Sequence, residues 1–291
     1  MSTWDREADA FLGCTAAFDD AQAVIFGAPL DATTSYRPGT RQASRVMRAE
    51  SYSIETYSPY QDLDLADFAV CDSGDLDLPF GNPARALDLI EERSRAILAA
   101  GKLPLMIGGE HLVTLGAVRA AARVFPDLHM IHLDAHADLR DSYQDEKLSH
   151  ATVMRRCWEL LGDGRIHQFG IRSGEREEIA WAKTHVRTRF FDLEGLGDTV
   201  RQLAGRPVYL TIDLDVLDPA VFPGTGTPEA GGLSFTDLLG AIRLAGSLNI
   251  VACDLNELSP PLDPSGIATA TALKTMRELL LAVLSGRTRR L

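Results

Sequence analysis

The sequence predicts a three-layer α/β/α fold with a central, mainly parallel β-sheet. Seven short apolar segments alternate with longer segments in which apolar residues recur every three or four positions. Most of the short segments are apolar on both faces, which is typical of strands that helices cover on both sides. Regular alternation of such strands and helices indicates a layered α/β sheet. Because no Ser-, Gly- or Pro-rich linker interrupts the pattern, the chain is predicted to form a single domain, 1–291.

The predicted strands are apolar segments, most of which end in Gly or Asp, residues that favour a turn. In chain order they are residues 23–27, 68–71, 103–107, 128–133, 166–170, 208–212 and 249–254. In sheets of this kind, ligands bind outside the carboxyl ends of the strands. The residues that directly follow each strand are therefore the first candidates for a functional site.

The predicted helices lie between these strands. The clearest spans 83–100, because Asn82 can cap its N-terminus, Pro83 suits the first helical position and Gly101 suits the position after its end. The other helical segments have apolar residues at the same period. They are residues 111–124, 151–161, 175–182, 236–245 and 266–284.

The charge and hydropathy of the chain narrow the range of partners. Lys and Arg number 29 and Asp and Glu number 41, so the net charge is −12. Phosphate contacts need clustered cations, so no nucleic-acid partner is expected, whereas metal ions or a cationic substrate would be attracted. No apolar run is long enough to span a membrane, and the charged segment 1–10 lacks the apolar region of a secretory signal. We therefore expect no membrane partner and a cytoplasmic location.

The most informative motif follows the strand at 128–133 and reads DAHAD at 134–138. In an extended segment alternate side chains point the same way, so Asp134, His136 and Asp138 can converge on one point. Two carboxylates and an imidazole at this spacing favour a metal site over a solvated polar loop.

Two further strand ends offer metal ligands. The strand 208–212 runs into Asp213 and Asp215, whose like charges repel unless they are protonated or bridged by a cation. The strand 103–107 ends in GGEH, which places the imidazole of His111 at the start of a helix. The four aspartates carry a charge of −4 that two divalent cations balance, so the six side chains predict a binuclear site. Oxygen and imidazole ligands without cysteine favour Mn²⁺ or Mg²⁺ over structural zinc, and paired metals activate water for hydrolysis.

These ordered motifs resemble the three metal motifs of the ureohydrolase family, which contains the arginases, agmatinases and formiminoglutamases. The matching segments are GGEH at 108–111, DAHAD at 134–138 and DLDVLDP at 213–219. The resemblance implies an arginase-like fold. It also implies two Mn²⁺ per subunit, one held by His111, Asp134, Asp138 and Asp213 and the other by His136, Asp134, Asp213 and Asp215. Asp134 and Asp213 would bridge the two ions.

Other segments are similar to loops of the same family. They are PGTGTPEAGGL at 223–233, NELSP at 256–260, and two that resemble the agmatinase branch, GAPLD at 27–31 and SYRPGTR at 35–41. The resemblance covers nearly the whole chain and implies a catalytic core at about 24–286. It also implies a homo-oligomer, either a trimer or a hexamer.

Glu257 and His150 match two further functional residues of the family. Glu257 would bind the substrate guanidinium, since a carboxylate accepts two parallel N–H bonds from this planar group. His150 would orient the substrate or carry a proton to the leaving amine, a role that suits a near-neutral pKa. His132 alternates in phase with Asp134. We interpret it as a hydrogen-bonded core residue, with a contact to the metal ligands as the alternative.

The stretch 139–149 bears on the choice of substrate. Arginases carry here a segment with Ser and Asn that binds the amino-acid head of arginine, and this chain does not match it. The expected reaction is therefore hydrolysis of cationic agmatine to putrescine and urea. Asp141, Asp145 or Glu146 is a candidate partner for the distal ammonium group. Arg37, Arg41 or Arg140 is a candidate partner for the carboxylate of another guanidino acid.

Other functions are compatible with the same motifs. Guanidinobutyrate, guanidinopropionate or formiminoglutamate as the substrate would use the same metals. The ligand set alone also permits a two-metal phosphoesterase, although Glu257 would repel phosphate. It permits a non-catalytic metal-binding protein as well, but such a protein would not need His150 or Glu257.

Overall fold

The computed structural model describes residues 10–290. The N-terminal segment that argues against a secretory signal therefore lies, except for Ala10, outside the described residues. Within them the strands β1 to β10 are Ala23–Ala28, Tyr57–Ser58, Leu63–Asp64, Val70–Asp75, Leu103–Gly108, His129–Leu133, Ile166–Ile171, Arg187–Phe190, Pro207–Asp213 and Asn249–Asn256. The helices α1 to α8 are Ala43–Glu50, Pro83–Ala99, Thr114–Val124, Val153–Leu161, Arg176–His185, Leu196–Gln202, Phe235–Ala245 and Ile267–Arg290.

Eight strands form one central sheet, in the order β4-β1-β5-β10-β9-β6-β7-β8, and every neighbouring pair is parallel. Strands β2 and β3 form a separate antiparallel pair. Side chains alternate across the sheet, so that Ile25 joins the core on one face while Val24 and Phe26 join the core on the other. Helices α2, α3 and α4 pack together on one side, and α1, α7 and α8 pack together on the other. The predicted three-layer fold is confirmed. No described helix is both long and apolar enough to cross a lipid bilayer.

The predicted strand at 68–71 lies further along the chain, at Val70–Asp75. The segment does not look like a buried strand because it contains Asp72, whose carboxylate is buried. Arg48 on α1 donates two hydrogen bonds to this carboxylate, of 2.8 and 3.0 Å. The ion pair compensates the charge, so an acidic residue can occupy a strand interior.

Five strands and helices were not predicted from the sequence: β2, β3, β8, α1 and α6. Strand β8 has the polar sequence Arg-Thr-Arg-Phe because it lies at the edge of the sheet, where few side chains are buried. Helix α6 buries only Leu196, and two of the four buried residues of α1, Ser44 and Arg48, are polar, so neither helix presents a long apolar stripe. The predicted helix 111–124 begins instead with a 3₁₀ turn at His111–Val113, which continues into α3.

The register of the central strands brings the candidate site residues together. Asn256 on β10 pairs with Asp213 on β9, and Leu133 on β6 pairs with Ile212 on β9. Asp134 and Asp213 therefore lie side by side, and Glu257 follows Asn256 at the same edge. His111 follows β5, which lies next to β10. The four segments that carry the candidate site residues thus leave the carboxyl ends of four adjacent strands.

Candidate metal centre and substrate cavity

The imidazole of His111 lies among three of the predicted carboxylate ligands. Its Nδ1 is 3.0 Å from Asp134 Oδ2, 3.2 Å from Asp138 Oδ2 and 3.3 Å from Asp213 Oδ2. On the other side of the ring, Nε2 lies 2.9 Å from the hydroxyl of Thr211. The Thr211 contact fixes the ring orientation, as outer-shell partners of metal-binding histidines do.

A second cluster forms around His136. Its Nδ1 is 3.0 Å from Asp215 Oδ2 and 3.5 Å from Asp134 Oδ1. Asp134 therefore faces both imidazoles, one with each carboxylate oxygen. Potential ligand atoms of His111, His132, Asp134 and Asp138 lie within 4.8 Å of one another, as do those of Asp134, His136 and Asp215.

The chemistry of these donors fits a pair of metal ions. His111 Nδ1 is buried and makes no hydrogen bond within the described part of the chain, although three carboxylate oxygens surround it. A buried polar atom without a partner is costly, and a cation between the imidazole and the carboxylates would remove that cost. All six predicted ligands lie in these two clusters, and Asp134 belongs to both.

Negative charge on one carboxylate of the site makes ionisation of a neighbouring carboxyl group less favourable. Burial, with the neighbouring Asp134, raises the pKa of Asp138 to about 7. Burial and the charges of Asp215 and Asp134 raise the pKa of Asp213 well above its ordinary value. The same carboxylates outweigh the effect of burial on His111 and His136 and raise the pKa of both imidazoles. Without cations, Asp138, Asp213, His111 and His136 therefore hold protons more tightly in the folded protein than in the unfolded chain.

The melting temperature of the metal-free protein is expected to fall as the pH rises from 6.5 to 8. In this range Asp138, His111 and His136 keep protons in the folded state that the unfolded chain releases, so stability decreases with pH. Saturating divalent metal replaces these protons and should remove the decrease. Differential scanning fluorimetry of metal-free and Mn²⁺-loaded protein over this range tests the prediction. A metal-free melting temperature that rises with pH would contradict it.

The backbone at the site adopts conformations that are rare for these residues. Asp138 has a φ of 53° and Glu257 a φ of 66°, both in the left-handed region. Gly109 allows the turn before His111, because a Cβ there would lie 1.9 Å from the carbonyl oxygen of Leu30. Uncommon backbone geometry of this kind is concentrated at functional sites.

Glu257 is buried directly behind the His111 turn. Its Oε1 accepts a 2.7 Å hydrogen bond from the backbone N–H of His111. Burial raises its pKa well above the ordinary value, although this hydrogen bond acts in the opposite direction. The described residues donate no hydrogen bond to its second oxygen, Oε2.

His150 lies in the wall of the cavity that opens over the two clusters. Its Nε2 is buried and has no hydrogen-bond partner among residues 10–290. Burial, with the charges of His136 and His111, lowers its pKa to about 4. The ring is therefore neutral at pH 7, with a nitrogen left for a ligand.

A buried carboxylate connects the His111 turn to His150. Glu110 accepts hydrogen bonds from the backbone N–H groups of Ala32 and Thr33 and from the Thr33 hydroxyl, each 2.7 Å long. The Thr33 hydroxyl in turn accepts a 3.0 Å hydrogen bond from the backbone N–H of His150. No sequence signal identified this connection, because Thr33 lies 77 residues from Glu110 and 117 from His150.

The cavity has a volume of about 500 Å³. The residues that line it are Ser35, Tyr36, His136, Ala137, Asp138, Arg140, Tyr143, His150, Ala151, Ser173, Gly174, Glu178, Thr227, Pro228 and Glu229. The three acidic residues suggested for the distal ammonium do not line it, and Asp141 forms an ion pair with Arg156 instead. Two other acidic residues, Glu178 and Glu229, line the cavity instead. Glu229 follows the third metal motif, and nothing in the sequence around it predicted that its side chain would line the cavity.

Comparison with known proteins identifies relatives along nearly the whole chain. The model of the Arginase family matches residues 21–282. An agmatinase from Bacillus subtilis is 47% identical over 93% of this chain and 95% of its own length. A guanidinobutyrase from Pseudomonas aeruginosa is 38% identical over 94% of this chain and 90% of its own. The crystal structure of agmatine ureohydrolase from Thermoplasma volcanium is 32% identical, with a TM-score of 0.89 over 98% of both chains.

Proposed function

The chain belongs to the arginase family and is a hydrolase of a guanidino C–N bond, and we propose that its substrate is agmatine, which it converts to putrescine and urea. One observation carries the proposal: two imidazoles and four carboxylates converge beside a cavity that His136 and Asp138 line. The other Arg and Glu residues that line it, Arg140, Glu178 and Glu229, carry a net negative charge. The 47% identity to an agmatinase supports the same substrate.

The charges of the cavity favour a cationic substrate over a guanidino acid. Arg140 lines the cavity, but its Nη1 lies 3.0 Å from Glu175 and its Nε 3.7 Å from Glu178. Its charge is therefore already neutralised. Glu229 has no Arg or Lys partner among the described residues, and its Oε1 lies 3.8 Å from His136 Nε2. A carboxylate tail would meet net negative charge here, whereas an ammonium group would be attracted.

The site residues divide the work of hydrolysis between them. Two divalent cations held by His111, His136 and the four aspartates would lower the pKa of water enough for nucleophilic attack near neutral pH. Oε2 of Glu257 is available to accept N–H bonds from the guanidinium group and to orient its plane.

His150 supplies the proton transfer. As a C–O bond forms at the guanidinium carbon, the C–N bond to the butyl chain breaks and the departing amine needs a proton. The imidazole of His150 is neutral and its Nε2 is unpartnered at the cavity wall, so it is placed to accept the proton that the attacking water loses and to pass it to the amine.

We further propose that both metals are Mn²⁺, because imidazole and carboxylate ligands without thiolate suit this ion. Residues 1–291 would act as one domain in a homo-oligomeric cytoplasmic enzyme, a trimer or a hexamer. Metal analysis of the purified protein and light scattering of its native assembly test the two parts separately. A stoichiometry of one metal per chain, or a monomer, would contradict the corresponding part.

Urea release by metal-stripped, Mn²⁺-reloaded protein tests the proposed reaction. Agmatine, arginine, guanidinobutyrate and guanidinopropionate are offered in parallel, with formamide release measured from formiminoglutamate and phosphate release from a phosphate ester. We expect agmatine to have a kcat/KM about 100-fold above that of guanidinobutyrate, because the tails carry opposite charges. Preference for another guanidino compound would overturn the substrate. Release of phosphate alone would overturn the reaction.

Replacing Thr33 by valine is expected to lower kcat/KM for agmatine by about 10-fold, since Glu110 and the His150 N–H each lose a buried hydrogen-bond partner. Thr33→Ser keeps the hydroxyl and should retain most of the activity. Steady-state kinetics of both variants, with their melting temperatures, check this. Equal activity of the valine variant and wild type would show that the Thr33 hydroxyl does not position His150.

A further inference from the structure

His132 is fully buried on β6 and contacts a predicted metal ligand, although it was interpreted from the sequence as a core residue. Its Nε2 lies 2.7 Å from Asp134 Oδ2. Its Nδ1 lies 3.0 Å from the side-chain amide nitrogen of Gln168 on the adjacent strand β7. Both ring nitrogens are therefore engaged, and the question is which of them carries the proton.

The surroundings of Gln168 settle the orientation of its amide. The nitrogen that faces His132 also lies 2.7 Å from the carbonyl oxygen of Ala137, which can only accept a hydrogen bond. On its other side the amide oxygen accepts a 2.8 Å hydrogen bond from the Thr188 hydroxyl. The amide nitrogen therefore donates to both Ala137 and His132, so His132 Nδ1 accepts and has no proton.

With Nδ1 unprotonated, the proton of the neutral ring is on Nε2, where it is donated to Asp134. We propose that His132 is a positioning residue for the metal centre, held as the Nε2–H tautomer by Gln168 and orienting the carboxylate of Asp134. This inference rests on the metal-binding role of Asp134 in the proposed function. Because Nε2 has no free electron pair in this tautomer, His132 is not a metal ligand, despite its place within 4.8 Å of three ligand residues.

The arrangement fixes both oxygens of Asp134. Oδ2 accepts from His132, and Oδ1 accepts a 2.6 Å hydrogen bond from the backbone N–H of His136. With one donor on each oxygen, the plane of the carboxylate is determined, and the remaining electron pairs are left for two cations. A carboxylate that faces both histidine clusters needs this control more than one that faces a single cluster.

Metal affinity tests the proposal without any substrate. The free Mn²⁺ concentration is followed by electron paramagnetic resonance as metal-free protein is titrated. His132→Phe keeps the ring but removes the donor, and we expect at least one Mn²⁺ to bind about 10- to 100-fold more weakly. His132→Gln places an amide N–H near the position of Nε2 and should restore most of the affinity.

His167→Phe is the matched control. His167 is a buried histidine on β7. Among the residues that the structure describes, its ring nitrogens have no hydrogen-bond partner, and it contacts none of the predicted ligands. The Mn²⁺ affinity of the His167→Phe variant should equal that of the wild-type protein. In the wild-type protein, long-range ¹⁵N–¹H spectra of labelled histidine should show His132 protonated at Nε2 and unprotonated at Nδ1. Because this measurement needs no variant, it tests the proposal even if a variant fails to fold.

The outcomes separate this inference from the proposed function. Unchanged affinity in His132→Phe, or a proton on Nδ1, would overturn the positioning role while leaving agmatine hydrolysis intact. Equal loss in the Gln and Phe variants would overturn it in favour of direct ligation by His132. If the affinities follow the expected order but agmatine is not hydrolysed, the proposed function fails and the role of His132 stands.

Discussion

Asp213→Asn is expected to stabilise the metal-free protein and to inactivate the metal-loaded one. Asp213 is 3% exposed, and burial together with Asp215 and Asp134 raises its pKa well above the ordinary value. The metal-free fold must therefore keep a buried charge or take up a proton, and an uncharged residue of the same shape avoids both costs. We expect the melting temperature of the metal-free variant to rise by about 2–5 °C.

The same change removes one of the four charges that would balance two divalent cations. Mn²⁺ affinity and kcat should both fall, the latter by about 10³-fold, since several kcal/mol of metal-dependent stabilisation of the transition state would be lost. The asparagine oxygen can still accept the 2.9 Å hydrogen bond from the Asp215 N–H, so the turn should persist.

Fluorimetric melting with and without Mn²⁺, together with urea release, measures both effects of Asp213→Asn. The variant should be more stable than wild type without metal but bind Mn²⁺ more weakly and turn over more slowly. A general loss of folded structure would instead lower the melting temperature both with and without Mn²⁺. A variant that is less stable without metal would show that repulsion among these carboxylates does not limit the metal-free fold. A variant with wild-type kcat would exclude Asp213 as a ligand.

Glu257→Gln is expected to lower kcat/KM for agmatine by about 10² to 10⁴, because a charged, buried hydrogen-bond partner of the guanidinium is lost. The glutamine oxygen can still accept a hydrogen bond from the His111 N–H, and the amide nitrogen then occupies the position of Oε2. Its N–H would face the N–H groups of the guanidinium and repel them. Metal binding should change little, since Glu257 lies outside both ligand clusters.

Steady-state kinetics of Glu257→Gln, with Mn²⁺ stoichiometry and melting temperature as controls, test this role. Glu229→Gln serves as a comparison, since that carboxylate lines the cavity but is 41% exposed and should contribute less. If Glu257→Gln kept kcat/KM within about 3-fold of wild type, the substrate guanidinium would have to be bound elsewhere.

Much of the fold and of the candidate site could be predicted because the relevant signals are local. A buried parallel strand is a short apolar run, and in an extended segment every second side chain points the same way. These two facts place Asp134, His136 and Asp138 on one side of a strand end. They fail for β8, whose polar sequence reflects its edge position, and for β4, where Arg48 neutralises Asp72.

The sequence by itself determined which side chains stand at the strand ends, and hence a metal-dependent hydrolase with its six ligands as a prediction. Only the tertiary structure decided how those ligands are held. The proton on His132 depends on Gln168, 36 residues away on the next strand, and the position of His150 depends on Thr33, 117 residues away. Such contacts follow from the order of the strands in the sheet and from the paths of the loops, which bring distant segments together. No periodic pattern of residues in the sequence indicates them.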